Sequence, residues 1–599
     1  MNLLSFKNNT FFLGGYPGSL IELAINKEYL DEDKYHLFAS QFALHSDQAG
    51  SWRGEFWGKF LRGAVECYKA TSNKALYDII ERSVFEMLSY IESDGTLSSY
   101  IPEERLTGWD IWGRKYAMIG FLSYLEISKN QKKKAKVLSS LLRQADSILL
   151  KVGPKKGQKG ILETSSLYGS LNSASILGVY VDLYSLTHKQ KYLDFATYIL
   201  KTGLSSGEDI IENVLKEGSY PHEWKSKKAY EMIACFQGAL RYGAVTKEQK
   251  YIDAAITFAH KVVETDFTIT GGIGTESEFF NNSSLKQTEP SMKPGLETCV
   301  TVSFMALCDD LLKLTGDGFY ASLIETMSYN ALFGATNDED QKMNLAEGRV
   351  WRLDGYDTPP HEPFLFDSYS PLVSDRRAKL VGGYMRLQND HSYGCCAANG
   401  GYGLGLVRDF AFLKSEKGYV LNFYSDFKAK DVRDSKKISF SMRANLYQKG
   451  RVSLRVKGGG ETFSLALRIP SWGNPKIKIN GNSLADLNTK NGYVTLTRKW
   501  DDDDVLTLSF PLSIRSVSLN NKVAYLRGPI VLASDARFQD FKGSLPLNLK
   551  GKRIDNDSFK NNETILLSNG MKLCDYASAA KNMDDKDAKL AVWMNLEKK

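Results

Sequence analysis

The chain has 599 residues, of which 43% are hydrophobic and 25% are charged, and its formal net charge is +7. This composition is typical of a globular protein and excludes a disordered chain, and no stretch approaches the roughly 20 apolar residues that cross a bilayer, so we expect no membrane partner. The positive charge is spread along the sequence without a large basic patch, so we expect no nucleic-acid partner either.

The N-terminus and the cysteines bear on the cellular compartment. No basic segment followed by a continuous apolar one opens the chain, so the sequence predicts no signal peptide. A cytoplasmic location is expected for the chain as given, and a periplasmic one if a signal peptide has been removed. Seven cysteines in so long a chain do not form a disulfide framework. The adjacent pair Cys395 and Cys396 instead indicates thiols that are reduced or that bind a metal.

A recurring turn divides the first two thirds of the chain into helical hairpins. Thr71, Thr187, Thr246 and Thr315 are each followed by a short polar run and a tyrosine, and a degenerate copy lies at 127–135. Apolar residues flank each turn at positions i, i+3, i+4 and i+7, which is the pattern of amphipathic helices. The sequence therefore predicts repeated helix-turn-helix units of about 55–70 residues.

Five such units, with room for a sixth, predict a closed (α/α)6 barrel over residues 1–415, with an open α-solenoid as the alternative. The long connections at 268–294 and 334–394 favour the barrel, because loops of that length usually carry function.

The second part of the chain, residues 416–599, has a different texture. Short segments such as 452–456 and 463–469 alternate or run apolar, and Asn480-Gly481 is a hairpin signal. We expect a β-sandwich region of two small modules here, which makes the whole chain a multidomain α + β protein. Such modules rarely carry chemistry, although they could mediate a homodimer.

Two ligand pairs 96 residues apart carry the candidate chemistry: Glu297 with Cys299, and Cys395 with Cys396. Carboxylate oxygen and thiolate sulfur are zinc ligands, and four of them complete a tetrahedron. The alternative is that Cys299 is simply a small buried residue at the start of a helix. The nearby loop at 271–274 (GGIG) lacks the Lys-Ser/Thr ending of a phosphate-binding loop, so a nucleotide site is not expected.

The order of motifs is similar to that of a known family. The chain reads GGIG, ETC, YNAL, YSPL and YGCCAANG, followed by LRIPSW and LRGPIVLA. This series resembles the β-L-arabinofuranosidase family, glycoside hydrolase family 127 and its close relatives, over most of the chain. The resemblance implies a zinc-dependent retaining glycosidase that releases a terminal β-L-arabinofuranosyl or related furanosyl residue from plant-type glycans.

The resemblance also assigns roles residue by residue. Cys395 would be the nucleophile, and Glu297, Cys299 and Cys396 would hold zinc beside it. Glu278 would be the general acid and base, with Glu276 as the alternative. Glu325 and Tyr369 fall where family members contact sugar. Tyr116, Asn172 and Tyr230 lie in stretches where the family's arabinofuranosidases carry histidines. This chain has no histidine in those stretches.

The missing histidines leave the substrate open. A carboxylated or branched furanoside of pectin is one alternative, because Arg114 and Lys115 could meet a carboxylate. A glycan-binding relative without turnover is another, and a lyase or epimerase acting on uronic acids is a third. In each case the expected partner is a carbohydrate, arabinose-containing or pectic. Aromatic and acidic side chains expected at the mouth of the barrel are Trp52, Glu55, Trp57, Trp109 and Trp112.

Overall fold

Helices dominate the chain up to residue 411. The computed structural model describes residues 3–597 apart from 277, 290–294, 339–350, 354–355, 359–363, 378–380, 390, 434, 485–487, 539–542, 556–562 and 582–587. The helices in chain order are α1 (Gly15–Ala24), α2 (Glu32–Leu44), α3 (Gly54–Thr71), α4 (Lys74–Ser89), α5 (Asp110–Ile127), α6 (Gln131–Lys151), α7 (Leu171–Ala174), α8 (Leu177–Thr187), α9 (Gln190–Lys201), α10 (Ile210–Leu215), α11 (Ala229–Thr246), α12 (Gln249–Thr265), α13 (Ser283–Lys286), α14 (Thr298–Thr315), α15 (Gly318–Thr326), α16 (Phe333–Ala335), α17 (Cys395–Ala411) and α18 (Leu446–Lys449). None of the described helices is long and apolar enough to cross a membrane.

Six of these helices form a closed ring. Helix α3 packs on α5, α5 on α8, α8 on α11, α11 on α14, α14 on α17, and α17 returns to α3. Helices α4, α6, α9, α12 and α15 each follow an inner helix and pack against it from outside. The contact between α17 and α3 closes the ring, which confirms the predicted (α/α)6 barrel and excludes the open solenoid.

The predicted turns join inner to outer helices, and a threonine ends the inner helix in four of them. Thr71, Thr187, Thr246 and Thr315 each donate to the carbonyl four residues earlier, over 2.7–3.0 Å. The same oxygens accept from the backbone N–H two residues later, over 3.2–3.4 Å. The intervening residue is left-handed, with φ between 54° and 72°. Local hydrogen bonds of this kind compete with a helix and therefore stop it.

Strands make up most of the chain after residue 411, and ten short strands lie before it among the described residues. Their bounds are β1 (Leu4–Ser5), β2 (Phe11–Leu13), β3 (Leu204–Ser205), β4 (Glu208–Asp209), β5 (Leu296–Glu297), β6 (Trp351–Leu353), β7 (Tyr356–Thr358), β8 (Tyr369–Ser370), β9 (Met385–Arg386), β10 (Ser392–Tyr393), β11 (Phe412–Ser415), β12 (Gly418–Leu421), β13 (Phe427–Arg433), β14 (Lys436–Asn445), β15 (Arg451–Lys457), β16 (Glu461–Arg468), β17 (Lys476–Ile479), β18 (Asn482–Ser483), β19 (Thr489–Lys490), β20 (Tyr493–Trp500), β21 (Asp504–Ser509), β22 (Ile514–Leu519), β23 (Lys522–Arg527), β24 (Ile530–Asp535), β25 (Ser544–Leu545), β26 (Gly551–Ile554), β27 (Thr564–Leu567), β28 (Lys572–Asp575), β29 (Leu590–Ala591) and β30 (Met594–Leu596).

Two sheets of this region pack face to face as a sandwich. One has the order β1-β11-β12-β16-β20-β19 and the other β18-β17-β21-β15-β14-β13-β2. Along β15 buried and exposed residues alternate strictly, as a half-buried strand requires. Phe440 of the second sheet meets Phe412, Tyr419 and Phe463 of the first, with ring centroids 4.6–6.1 Å apart. These interleaved aromatic rings form the core between the two sheets.

A further sheet follows, built around the order β25-β30-β23-β24-β28-β27-β26. The expected β-sandwich material is therefore present in more than one sheet. The division of the chain at residue 415 stays a prediction, but the first strands need a correction. Strands β1 and β2 pair with β11 and β13, because their backbone groups complete the edges of the two sandwich sheets. Residues 4–5 and 11–13, which fall inside the predicted barrel range of 1–415, thus pair with strands of the β region.

Candidate active site and metal centre

Two neighbouring inner helices bring the four predicted metal ligands together. Cys395 and Cys396 are the first two residues of α17, behind an extended Gly394. Glu297 ends β5, and Cys299 lies in the first turn of α14. Helices α14 and α17 are adjacent in the ring. The two pairs converge because both stand at helix N-termini on the same side of the barrel.

The distances within this group fit one metal ion. All four ligand atoms lie within 4.8 Å of one another. The sulfurs of Cys395 and Cys396 are 3.8 Å apart, and the Cys396 sulfur lies 3.6 Å from Glu297 Oε1. A zinc tetrahedron with bonds of about 2.0–2.3 Å places its ligands roughly 3.5–3.8 Å apart. Among the described residues, the buried Glu297 Oε2 finds no hydrogen-bond partner, as expected of an atom that ligates a metal.

The pKa shifts within this group also indicate that a bound cation would stabilise it. Burial raises the pKa of Glu297 and of Cys396 well above their ordinary values, and neighbouring acidic groups raise both further. Burial opposes ionisation of Cys299 as well, but hydrogen bonds from Cys395 and Cys396 and the charge of Lys59 lower its pKa to about 7. A bound divalent ion would stabilise all four ionised forms. The residues present therefore fit a metal ion such as zinc.

Glu278 lies beside this cluster with both carboxylate oxygens engaged. Lys228 donates to Oε2 and Tyr369 donates to Oε1, each over 2.6 Å. Burial alone would raise the pKa of Glu278, but the Lys228 ammonium and the Tyr369 hydroxyl outweigh it and hold the pKa below its ordinary value. Glu276, the alternative acid, points outward: its side chain is 45% exposed and lies 3.9 Å from Lys286. The structure thus brings Glu278, and not Glu276, to the cluster.

Backbone pairing fixes the loop that carries Glu278. The Ala229 N–H donates to the Glu278 carbonyl over 3.1 Å, and Lys228 forms a bridge with Phe279. On the other side, Ile273 of the same loop bridges to Glu297. Glu278 itself adopts a left-handed backbone with φ 66°, a conformation that concentrates at functional sites. The loop therefore links the start of α11 to the metal ligands.

A cavity of about 260 Å³ joins Glu278 to the cluster. Of the described residues, six aromatic ones line it, as is common in carbohydrate pockets, together with four glutamates and two lysines. Its lining includes Cys395, the aromatic residues Trp52, Trp109, Trp112, Tyr168, Tyr230 and Tyr384, and the charged residues Glu55, Lys59, Lys228, Glu231, Glu278 and Glu297.

The other predicted sugar-binding residues occupy different places. Tyr230 lines the cavity, and Tyr369 reaches it through its hydrogen bond to Glu278. The Tyr116 hydroxyl bonds to that of Tyr230, and Tyr116 lines a second cavity behind it. Asn172 is buried and donates to the Gly108 carbonyl over 2.7 Å, outside the lining of the first cavity.

Glu325 does not reach the cavity, and its predicted contact with sugar needs correction. Its side chain is 2% exposed and pairs with Arg468, the last residue of strand β16 in the β region. The other carboxylate oxygen accepts from Trp472 Nε1 over 2.8 Å. Both oxygens are thus occupied between the barrel and the sandwich. Glu325 fastens the two parts together.

The basic residues proposed for an acidic sugar also lie elsewhere. Arg114 pairs with Asp110 over 3.0 Å inside helix α5. The Lys115 ammonium donates to Ser175 over 2.9 Å in the second cavity. Among the tryptophans, Trp57 is fully buried and donates to Ser83, so it does not line the mouth. These placements remove the residue-based argument for a carboxylated sugar.

Sequence reasoning missed several residues of the cavity. Lys59 pairs with Glu55 over 3.1 Å and lies 4.0 Å from the Cys299 sulfur. Gly383 is left-handed with φ 56°, and an added Cβ there would meet the Cys395 sulfur at 2.6 Å. Its carbonyl accepts from Trp52 Nε1 over 2.9 Å. In the sequence, only the four-residue spacing between Glu55 and Lys59, which places both on one face of helix α3, indicated this pair.

Comparison with known proteins gives this geometry a family context. The profile described as the β-L-arabinofuranosidase GH127 catalytic domain matches residues 21–346, and that of the GH127 middle domain matches residues 420–512. A non-reducing end β-L-arabinofuranosidase of Bifidobacterium longum subsp. longum is 19% identical over 448 residues. That alignment covers 69% of this chain and 63% of the length of the curated relative, which is therefore longer.

Solved structures agree with the fold over the whole length. A GH127 β-arabinofuranosidase superposes with a TM-score of 0.74 at 18% identity, covering 99% of this chain and 98% of that one. A GH127 β-L-arabinofuranosidase from Geobacillus stearothermophilus T6 gives 0.73 at 16% identity, with both chains fully covered. At such identities the likeness establishes the fold. With a catalytic-domain profile that spans more than half of its residues, the chain belongs to the β-L-arabinofuranosidase family GH127 of glycoside hydrolases.

Proposed function

We propose that the protein is a retaining exo-glycosidase that releases a terminal β-L-arabinofuranosyl or related furanosyl residue from a plant-type glycan. The observation that carries the proposal is that Cys395 and Glu278 line one cavity. Cys395 also belongs to the buried Glu/Cys3 group, which consists of Glu297, Cys299, Cys395 and Cys396. The Bifidobacterium relative is a non-reducing end β-L-arabinofuranosidase, which supports the exo mode. The substrate is then an arabinose-containing oligosaccharide.

In the first step, the Cys395 sulfur attacks the anomeric carbon and the bond from that carbon to the leaving oxygen breaks. Glu278 in its protonated form gives its proton to the leaving oxygen, so that the aglycone departs as a neutral alcohol. Because Lys228 and Tyr369 hold the pKa of Glu278 below its ordinary value, against the effect of burial, this form is favoured at acidic pH. The product is a thioglycosyl group on Cys395, with inverted configuration at the anomeric carbon.

In the second step, the Glu278 carboxylate takes a proton from water as the water oxygen attacks the anomeric carbon. The carbon–sulfur bond breaks and returns the thiolate of Cys395, while Glu278 regains its proton. Two successive inversions give net retention, as in retaining enzymes that use a carboxylate nucleophile. The carboxylate form held by Lys228 and Tyr369 is the form that this step requires.

We further propose that the metal of this site is zinc. Glu297, Cys299, Cys395 and Cys396 would hold it, because thiolate and carboxylate are its preferred donors. When bound, it supplies a positive charge that keeps thiols ionised near neutral pH. Gly383 lies against the Cys395 sulfur and leaves room for it only because a glycine has no side chain.

The aromatic wall supports a sugar as the occupant. Trp52, Trp109 and Trp112 follow one another around the cavity, with neighbouring ring centroids 6.2 and 5.6 Å apart. Tyr168 continues this wall beside Trp109 at 6.0 Å. Such faces cover the apolar face of a sugar ring while carboxylates bind its hydroxyls.

Hydrolysis of an aryl β-L-arabinofuranoside by the purified protein tests the proposal. The wild type should release the aryl alcohol, with the β-anomer of the sugar appearing first by NMR. Cys395→Ser should abolish turnover, whereas Cys308→Ser, which alters a buried cysteine of α14 outside the cluster, should not. Near-normal rates in Cys395→Ser, or first release of the α-anomer, would contradict the mechanism.

A further inference from the structure

Glu231 stands in the first turn of α11 and lines the active-site cavity, although no catalytic step uses it. Glu231 is only 3% exposed. Within the described part of the chain, its Oε2 is buried without a hydrogen-bond partner. Buried polar atoms nearly always have partners, so this oxygen has the capacity to accept from a molecule bound in the cavity.

The other glutamates of the cavity are already engaged. Glu55 pairs with Lys59 and also accepts from Trp112 Nε1. Glu278 is held by Lys228 and Tyr369. Glu297 belongs to the metal-binding group. Glu231 is thus the carboxylate left to meet a bound molecule.

The charge balance of the cavity indicates the chemistry of that molecule. Four glutamates and two lysines line it, and the lysines already face Glu55 and Glu278. A sugar carboxylate placed against Glu231 would put two carboxyl groups side by side in a buried space, where both could not be ionised without a large cost in free energy. A neutral sugar offers hydroxyl donors instead.

We propose that Glu231 accepts a hydrogen bond from a hydroxyl of the neutral furanosyl unit and thereby determines specificity for a hydroxylated over a carboxylated sugar. This inference rests on the proposed glycosidase function and names the class of sugar that the site takes. It assigns the position to Glu231 alone, since Arg114 and Lys115 lie outside the cavity.

Deoxy substrates test the contact directly. The probes are an aryl β-L-arabinofuranoside and its 2-, 3- and 5-deoxy analogues, assayed with wild type, Glu231→Ala and Glu231→Gln. The wild type should discriminate against one analogue about 10- to 100-fold in kcat/KM, the range of a hydrogen bond to a charged group. Glu231→Ala should lose that discrimination, and Glu231→Gln, which keeps an acceptor oxygen, should recover part of it.

The control is Glu212→Gln, an exposed residue that pairs with Lys250 on the outer surface. It should behave as wild type towards all four substrates. If Glu231→Ala keeps the wild-type preference for the parent over every analogue, Glu231 does not bind a hydroxyl and the inference is wrong.

Calorimetry separates this inference from the proposed function. A wild type that cleaves none of the four glycosides would contradict the function, and binding of methyl β-L-arabinofuranoside and of its analogue with C5 oxidised to a carboxylate would still decide the role of Glu231. The wild type should bind the neutral methyl furanoside more tightly, and Glu231→Ala should lose at least about tenfold in affinity for it. Equal affinity of the two proteins for the neutral furanoside, or tighter binding of the carboxylate by the wild type, would overturn the inference.

Discussion

The Lys228 ammonium lies 2.6 Å from Glu278 Oε2, and both side chains are almost completely buried. Because a buried ammonium stabilises a neighbouring carboxylate, Lys228 controls the protonation state of the acid and base of the proposed reaction. The pairing depends on the bridge between Lys228 and Phe279, which holds the helix start against the loop. Its consequence for activity can be measured through pH dependence.

Replacing Lys228 with methionine should shift the pH profile upward. The Lys228 charge holds the pKa of Glu278 below its ordinary value, against the effect of burial. Without that charge, burial dominates, the pKa rises and Glu278 keeps its proton to higher pH. The alkaline limb of kcat/KM on the aryl furanoside should therefore move up by about one unit or more.

Lys250→Met is the control for the Lys228 variant, since Lys250 pairs with Glu212 on the exposed surface. Its alkaline limb should coincide with that of the wild type. An unchanged limb in Lys228→Met would mean that Glu278 does not govern the profile.

Gly383→Ala should inactivate the protein without unfolding it. The new Cβ would meet the Cys395 sulfur at 2.6 Å, and the left-handed φ of 56° disfavours any side chain. A displacement of the sulfur by about 1 Å can lower kcat/KM about 100-fold. Gly157→Ala is the matched control, because Gly157 is also left-handed, at φ 89°, but has nothing within 4 Å of the added Cβ. Equal activities of the two variants would show that Gly383 does not position Cys395.

Metal content should depend on the Glu/Cys3 group. Elemental analysis of protein purified without added metal should find zinc at about one per chain, as four such ligands hold a single ion. Cys299→Ala should lower that ratio severalfold. Cys308→Ala, which changes a buried cysteine of the same helix outside the group, should leave it unchanged. Zinc retained by Cys299→Ala, or lost equally by both variants, would contradict the assignment of ligands.

Glu325→Ala should destabilise the protein without changing substrate affinity. Removing one partner of the buried pair leaves Arg468 uncompensated, a loss of about 3–5 kcal/mol. The urea midpoint should fall, and KM on the aryl furanoside should stay near the wild-type value. Glu325→Gln should show the same direction with a smaller loss. A raised KM at unchanged stability would return Glu325 to the sugar site.

The features that could be predicted were those that depend on residues close together in the sequence. Each threonine that ends an inner helix does so through hydrogen bonds to residues at most four positions away, so the repeat was visible without the fold. Cys395 and Cys396 stood out because adjacent thiols need a stabiliser. That the two ligand pairs could bind one ion was predicted from their chemistry, whereas their position at two adjacent helix N-termini is seen only in the structure.

Long-range geometry accounts for what sequence analysis missed. The pairing of Lys228 with Glu278 depends on residues 50 positions apart, and that of Glu325 with Arg468 on residues 143 apart. No local pattern reports which side of the barrel such residues face. Glu325 was placed at the sugar by motif position alone, whereas a partner from the sandwich decides its orientation.

The covalent intermediate on Cys395 is the most direct test of the account. Protein mixed with an activated aryl β-L-arabinofuranoside and quenched in acid during turnover should be digested and its peptides weighed. We predict one anhydropentose unit on the peptide that contains Cys395, absent in Cys395→Ser and increased in Glu278→Gln, whose second step is slow. An adduct on a carboxylate instead, or turnover with no adduct on Cys395 in either protein, would contradict the cysteine mechanism.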